Sequence, residues 1–208
     1  IVNACAAVSH NDRDHDATQV VSASDDASCL VWDARQKRPT AASLDHTSPV
    51  TAVCADDTYI YTACLDHLIL CWYIRNHQKV YGCKGHSNII TCLALNTHNQ
   101  LLSNSMDQSL KIWNVQPYCA GKRLEQTLVG HKHNVEKGLL KCAWNVDGTQ
   151  VSAGSADSVV HIWDAPSGQE LYTLPGHAGC VNAVAFHPDE NVIASGASDQ
   201  KVFVGELS

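Results

Sequence analysis

The sequence predicts an all-β chain built from repeated small antiparallel sheets, and three observations carry that prediction. Trp recurs at Trp32, Trp72, Trp113 and Trp163, with Gly205 standing at the next place, at spacings of 40, 41, 50 and 42 residues. An Asp lies six residues before each of these positions, at Asp26, Asp66, Asp107, Asp157 and Asp199. No segment sustains a 3.6-residue hydrophobic period, so helix is not expected. Short runs rich in Val, Ile and Thr, bounded by turn residues, read instead as strands.

The repeats follow in order. The first, residues 1–45, opens on Val2-Asn3-Ala4-Cys5 and holds Ser22, Asp26 and Trp32-Asp33. The second, 46–84, is introduced by Asp45-His46, a degenerate copy of a Gly-His pair, and holds Thr62, Asp66 and Trp72-Tyr73. The third, 85–129, starts with Gly85-His86 and carries Ser103, Asp107 and Trp113-Asn114. The fourth, 130–175, starts with Gly130-His131 and carries Asp157 and Trp163-Asp164, with Ala153 where the others have Ser or Thr. Its strands are expected at Leu139 to Trp144, Gln150 to Ala153, Val159 to Trp163 and near Glu170 to Thr173, with a turn at Asn145-Val146-Asp147-Gly148. The fifth, 176–208, starts with Gly176-His177 and holds Ser195, Asp199 and Gly205-Glu206.

Gly-His, Asp and Trp-Asp series in one register at this period resemble the WD-repeat β-propellers. The resemblance implies four-stranded blades around a channel, five of an expected seven being visible, and one to two further blades upstream. A closing strand for the last blade would then come from outside this chain. It also implies that His, Ser or Thr, Asp and Trp form a hydrogen-bonded network in each blade. The fullest sets are His46, Thr62, Asp66 and Trp72, and His86, Ser103, Asp107 and Trp113. The fourth set (His131, Asp157, Trp163) lacks a hydroxyl and the fifth lacks an indole, so both should be incomplete.

Composition narrows the function. With 14 basic and 21 acidic side chains the formal charge is −7, which argues against a dedicated nucleic-acid module. The longest apolar runs are far too short for a membrane helix, and no leader-like segment opens the chain. The 10 cysteines include no Cys-x-x-Cys pair. They read as reduced packing thiols, which points to a cytosolic or nuclear compartment. Ser, His and Asp recur together, but a catalytic set is needed once, whereas this one repeats at fixed offsets. No enzyme, cofactor or metal site is expected; His131 and His133 lack a third ligand nearby.

The excess length in the 50-residue spacing falls between Gln116 and Lys137 and concentrates cations in an acidic chain. Tyr118, Lys122, Arg123, Lys132 and Lys137 are therefore the candidate partner contacts. Leu101 to Asp107, His133 to Cys142, Leu174 to Gly179, Ala185 to Glu190 and the Gly205-Glu206 ending resemble the spliceosomal WD-repeat family found in the U5 small nuclear ribonucleoprotein. That resemblance implies a nuclear adaptor for pre-mRNA splicing, docked on the large spliceosomal scaffold protein near the GTPase of the U5 particle, with RNA contact at most peripheral. Trp32-Asp33-Ala34-Arg35 resembles instead the Trp-Asp-x-Arg signature of substrate receptors of cullin-based ubiquitin ligases. A chromatin or signalling scaffold is the remaining alternative.

Overall fold

The structure is a computed structural model describing residues 1–8, 19–36, 40–134 and 138–207. It holds nineteen strands: β1 (Val2–Val8), β2 (Gln19–Ser24), β3 (Ser28–Asp33), β4 (Thr40–Asp45), β5 (Val50–Ala55), β6 (Tyr59–Cys64), β7 (Leu68–Tyr73), β8 (Gln78–Lys84), β9 (Ile90–Leu95), β10 (Gln100–Ser105), β11 (Ser109–Asn114), β12 (Leu124–Val129), β13 (Cys142–Trp144), β14 (Gln150–Gly154), β15 (Val159–Asp164), β16 (Glu170–Pro175), β17 (Val181–Phe186), β18 (Val192–Ala197) and β19 (Val202–Glu206). No helix occurs among the described residues. The strands form sheets β1–β4, β5–β8, β9–β12, β13–β16 and β17–β19, each in simple sequence order. The fifth sheet has three strands among the described residues.

One turn explains why the Asp series keeps its offset. In every sheet the second and third strands are joined through an Asp whose Oδ1 accepts the backbone N–H two residues on: Asp26 from Ser28, Asp66 from Leu68, Asp107 from Ser109, Asp157 from Val159 and Asp199 from Lys201. The residue between takes a positive φ of 63–69°, at Ala27, His67, Gln108, Ser158 and Gln200. That is the left-handed step which lets a short hairpin loop match the twist of its strands. A second capped turn joins the first and second strands. Asp56 Oδ1 accepts from Thr58 and Tyr59, Asn96 Oδ1 from His98 and Gln100, and Asn145 Oδ1 from Thr149 and Gln150.

The third strand of each four-stranded sheet meets its outer neighbour with a register shift at the Trp: Val31/Trp32, Cys71/Trp72, Ile112/Trp113 and Ile162/Trp163. Such a bulge re-aims one side chain, here the indole. Inner strands are buried on both faces, as in β5 and β11, while the outer strands β8, β12 and β16 alternate toward solvent. β13 is shorter than the sequence predicts because Lys141 N–H turns to the carbonyl of Asn182 in β17.

By compactness the chain divides into Ile1–Leu93 and Ala94–Ser208. The first part has a core built on Val8, Val21, Val31, Leu44, Val50, Ile60 and Trp72. The second includes a cluster of Val160, Ile162, Val181, Val184 and Ile193. Within the second part the fourth and fifth sheets meet backbone to backbone. Val181 N–H donates to Ser155 O, and a Cβ on Gly154 would fall inside the van der Waals radius of the Val181 carbonyl.

Candidate interaction surface

Buried side chains tie each sheet together. In the second sheet, His46 Nδ1–H donates to Leu44 O at 2.8 Å. Its Nε2 is therefore a lone pair, and it receives the Thr62 hydroxyl at 2.8 Å. Thr62 Oγ1 in turn accepts Trp72 Nε1–H at 2.9 Å. Burial pushes His46 below the ordinary histidine range, which keeps it neutral as this chain requires. Asp66 stays with its turn, and the ring nitrogen that could have met it is held by the Leu44 carbonyl. In the third sheet, Trp113 Nε1–H donates to Ser103 Oγ at 2.8 Å, both residues being fully buried; Asp107 caps its turn and His86 is buried. The first sheet repeats the pair, Trp32 Nε1–H to Ser22 Oγ at 2.8 Å.

The fourth sheet departs, since Ala153 offers no oxygen. Trp163 Nε1–H goes to Val129 O at 3.3 Å, and its ring stacks on His161. His161 sits 2.5 Å from Glu170 Oε1 and 3.4 Å from Asp157 Oδ2. His131 meets the Trp163 ring edge to face, centroids 6.0 Å apart, and sends its Nε2–H elsewhere. Asn104 Nδ2–H donates to Leu140 O, which aims Oδ1 at the imidazoles, so His131 Nε2–H donates to it at 2.8 Å and His133 Nε2–H at 3.3 Å. Among the described residues, His131 Nδ1 is left buried with no partner. Burial, with His133 beside it, pushes His131 down to about 3. Asn104, three residues before Asp107, is the network member the motif register did not mark.

The fifth sheet has the full Ser–His–Asp chain. His177 Nδ1–H faces Asp199 at 3.1 Å, and His177 Nε2 receives Ser195 O–H at 2.9 Å. Asp199 also accepts from Ala178 N–H, and this bond, with the His177 contact, holds its carboxyl below the ordinary range. The hydroxyl-to-imidazole half recurs at Thr62 and His46, so it is a structural device that orients a hydroxyl. Among the described residues no group of three His, Cys, Asp or Glu could hold a metal ion.

The structure separates the candidate contacts. Tyr118, Lys122 and Arg123 lie in the β11–β12 connection at one end of the third sheet. Lys132 follows β12 at the other end, about 20 Å away for a six-residue strand. Tyr118 is 96% exposed and Lys122 is exposed. Arg123 is half-buried and donates through Nη1 to the carbonyls of Asn114 and Gln116, so it staples the loop. Lys132 engages the fourth sheet through its backbone, N–H to Ser155 Oγ at 2.8 Å and O from Ala156 N–H. Lys137 lies outside the described residues. Val146, exposed in the β13–β14 turn, stands at the same end as Tyr118, where Gly148 packs on His98 and Asn96. Sequence distance alone could not sort the two ends. In the first repeat, Arg35 lies on Asp33 through Nε and Nη2 at 3.0 and 2.9 Å, so the guanidinium of the Trp-Asp-x-Arg stretch is already engaged.

All 10 cysteines are free, and seven are buried. Burial raises the Cys29 and Cys64 thiols to about 12, so these behave as apolar packing groups.

Repeated sheets of this order, with a capped Asp turn in each and a bulged Trp in four of the five, define a WD-repeat protein, and the chain belongs to that family. The WD domain, G-beta repeat, matches residues 39–73, 77–114, 122–164 and 168–204. Each match begins on the outer strand of one sheet and ends on the third strand of the next. More particularly, the chain is 40% identical over 191 residues to the U5 small nuclear ribonucleoprotein 40 kDa protein of Mus musculus, covering 90% of this chain and 53% of that one. It is 39% identical over 192 residues to the protein of the same name in Dictyostelium discoideum, 90% and 54% covered. The pre-mRNA-splicing factor cwf17 of Schizosaccharomyces pombe is likewise 39% identical over 192 residues, 91% and 56% covered. The chain thus spans about half the length of the curated relatives it matches.

Proposed function

We propose that this protein is a non-enzymatic scaffold of the pre-mRNA splicing machinery, acting in the nucleus within a U5-type ribonucleoprotein through protein–protein contacts. The observation that supports it most is identity of about 40% sustained over nine-tenths of the chain to relatives named for that particle and for splicing. The geometry agrees with the reading. The recurring His, Ser, Thr and Trp side chains are spent on internal hydrogen bonds, and exposed loops at the sheet ends are left to do the recognising. The partners are the large spliceosomal scaffold protein and the GTPase of the U5 particle. Tyr118 and Lys122, with Val146 at the same end, form the contact we favour, an aromatic anchor beside a free cation.

The test is affinity purification of the tagged protein from nuclear extract, followed by probing for U5 RNA and mass spectrometry. Enrichment of the U5 particle is expected, and a Tyr118→Ala/Lys122→Glu double variant should recover several-fold less of the scaffold protein while Lys132→Glu, at the opposite end, recovers it normally. A wild-type eluate dominated by ligase adaptors, with no U5 RNA, would overturn the assignment.

A further inference from the structure

Arg35 and Arg75 hold the same place in consecutive repeats, three residues after Trp32 and Trp72. The third and fourth repeats have Gln116 and Pro166 there, so the cation belongs to the first two. Both arginines line one cavity of about 660 Å³ between the first and second sheets, within Ile1–Leu93. Gln36, Asp57, Tyr73 and His77 line it with them, and each of the two sheets has its four strands.

The two guanidiniums are prepared differently. Buried Asp33 accepts Arg35 Nε–H at 3.0 Å and Nη2–H at 2.9 Å. A guanidinium carries five N–H donors, so with these two spent three remain, on a group whose plane the carboxylate has fixed. In the second repeat Tyr73 takes the place of that Asp. Among the described residues the Arg75 side chain has no hydrogen-bond or ion-pair partner, so its charge and all its donors are uncommitted. The loop that carries it is nonetheless held. Ile74 N–H donates to Thr58 O at 3.0 Å, and His77, at φ 58°, turns back to donate its N–H to Tyr73 O at 2.8 Å. The Tyr73 ring packs on Tyr59, centroids 5.8 Å apart. Asp57 is the one carboxylate of this lining; it is exposed and accepts the Thr58 hydroxyl.

We infer that the cavity is a binding site for a phosphoryl group, held between the fixed fork of Arg35 and the uncommitted guanidinium of Arg75. Two guanidiniums against one carboxylate make the lining net positive in a chain of formal charge −7. One fork already satisfies the two oxygens of a carboxylate, whereas the three terminal oxygens of a phosphoryl group can engage both. The same chemistry belongs to free phosphate and to a phosphorylated side chain of a partner polypeptide. A nucleic-acid backbone is the less favoured occupant, because the acidic chain around the site would repel a long polyanion.

The experiment follows fluorescence anisotropy of a labelled Gly-Ala-phosphoserine-Ala-Gly peptide on addition of the protein at low salt. Its unphosphorylated twin, inorganic phosphate as competitor and a labelled oligouridylate are run beside it. The phosphopeptide should bind saturably, and the unphosphorylated peptide about tenfold more weakly or worse. Arg75→Gln should weaken the phosphopeptide by about tenfold with the melting midpoint unchanged, and Arg35→Lys, which keeps the charge and loses the fork, should weaken it as well. Inorganic phosphate that displaces the peptide in the peptide's own concentration range assigns the site to the free ion; displacement at far higher concentration assigns it to a phosphorylated partner. No saturable binding of phosphopeptide or phosphate, equal binding of the two peptides, or tighter binding of oligouridylate overturns the proposal, and none of these results depends on a variant folding. A folded Arg75→Gln protein that binds the phosphopeptide as the wild type does would overturn it too.

Discussion

Lowering the pH should destabilise the fold through His131, and the sign and size follow from its surroundings. The ring is 1% exposed, its Nε2–H is fixed on Asn104, and its Nδ1 lone pair has no donor. Protonation would place a charge there with no partner for the new N–H; His133, His161, Asp107 and Asp157 are the titratable groups around it. The folded-state value falls to about 3 from the ordinary 6.5, so below pH 6.5 the unfolded chain binds a proton that the folded chain refuses. Stability contributed by this group is intact above 6.5 and is lost as the pH falls, at about 1.4 kcal/mol per unit, or roughly 2 kcal/mol by about pH 5. His46 and His133 are lowered as well and add in the same direction. Asp157 and Asp199, held below the ordinary carboxylate range, lose their contribution only at more acid pH. Asp56, raised by burial, works the opposite way, but it is common to wild type and variant. The assay is urea unfolding followed by tryptophan fluorescence at both ends of this window, for wild type and His131→Gln. The variant should start less stable and lose markedly less on acidification. Equal losses in the two proteins would refute the account of His131.

Three further outcomes follow from the same geometry. Ser103→Ala leaves Trp113 Nε1–H fully buried without its acceptor, and should lower the urea-derived stability by about 1–3 kcal/mol, more than Ser22→Ala, whose Trp32 is only half-buried. Gly154→Val forces a side chain onto the Val181 carbonyl and should cost about 1–3 kcal/mol or more, read as a fall in melting temperature. Gln108→Gly and Ser158→Gly relieve a left-handed backbone and should be neutral to stabilising by up to about 1 kcal/mol in the same melts, whereas Val at either place should destabilise by about 1–2 kcal/mol.

Much of this was legible in the sequence because the repeat multiplies weak signals. One Asp six residues before one Trp says nothing; five in register identify a hairpin. Their shared task was harder to read. Two of the expected sets are divided: Asp66 caps its turn while His46 takes the Leu44 carbonyl, and Asp199 reaches His177 in the one sheet without an indole. The choice between a carboxylate and a carbonyl two residues away is a matter of one side-chain rotation, which spacing does not encode. The candidate contacts fall into two groups for a similar reason. Tyr118, Lys122 and Lys132 are near in sequence, but a strand lies between them and carries them to opposite ends of a sheet. Ala153 offers Trp163 no oxygen, as its residue type dictates, whereas the role of Asn104 left no trace in the motif register.

The place where the repeat lengthens is also a place with free capacity. Where it holds, every recognising group is consumed internally: the hydroxyl proton on a histidine, the hydroxyl lone pair on an indole, the Asp oxygen on a turn amide. A surface made of such units has little left to offer except shape, which suits a rigid support. The long third-to-fourth connection adds Tyr118 and Lys122, which no internal partner claims among the described residues.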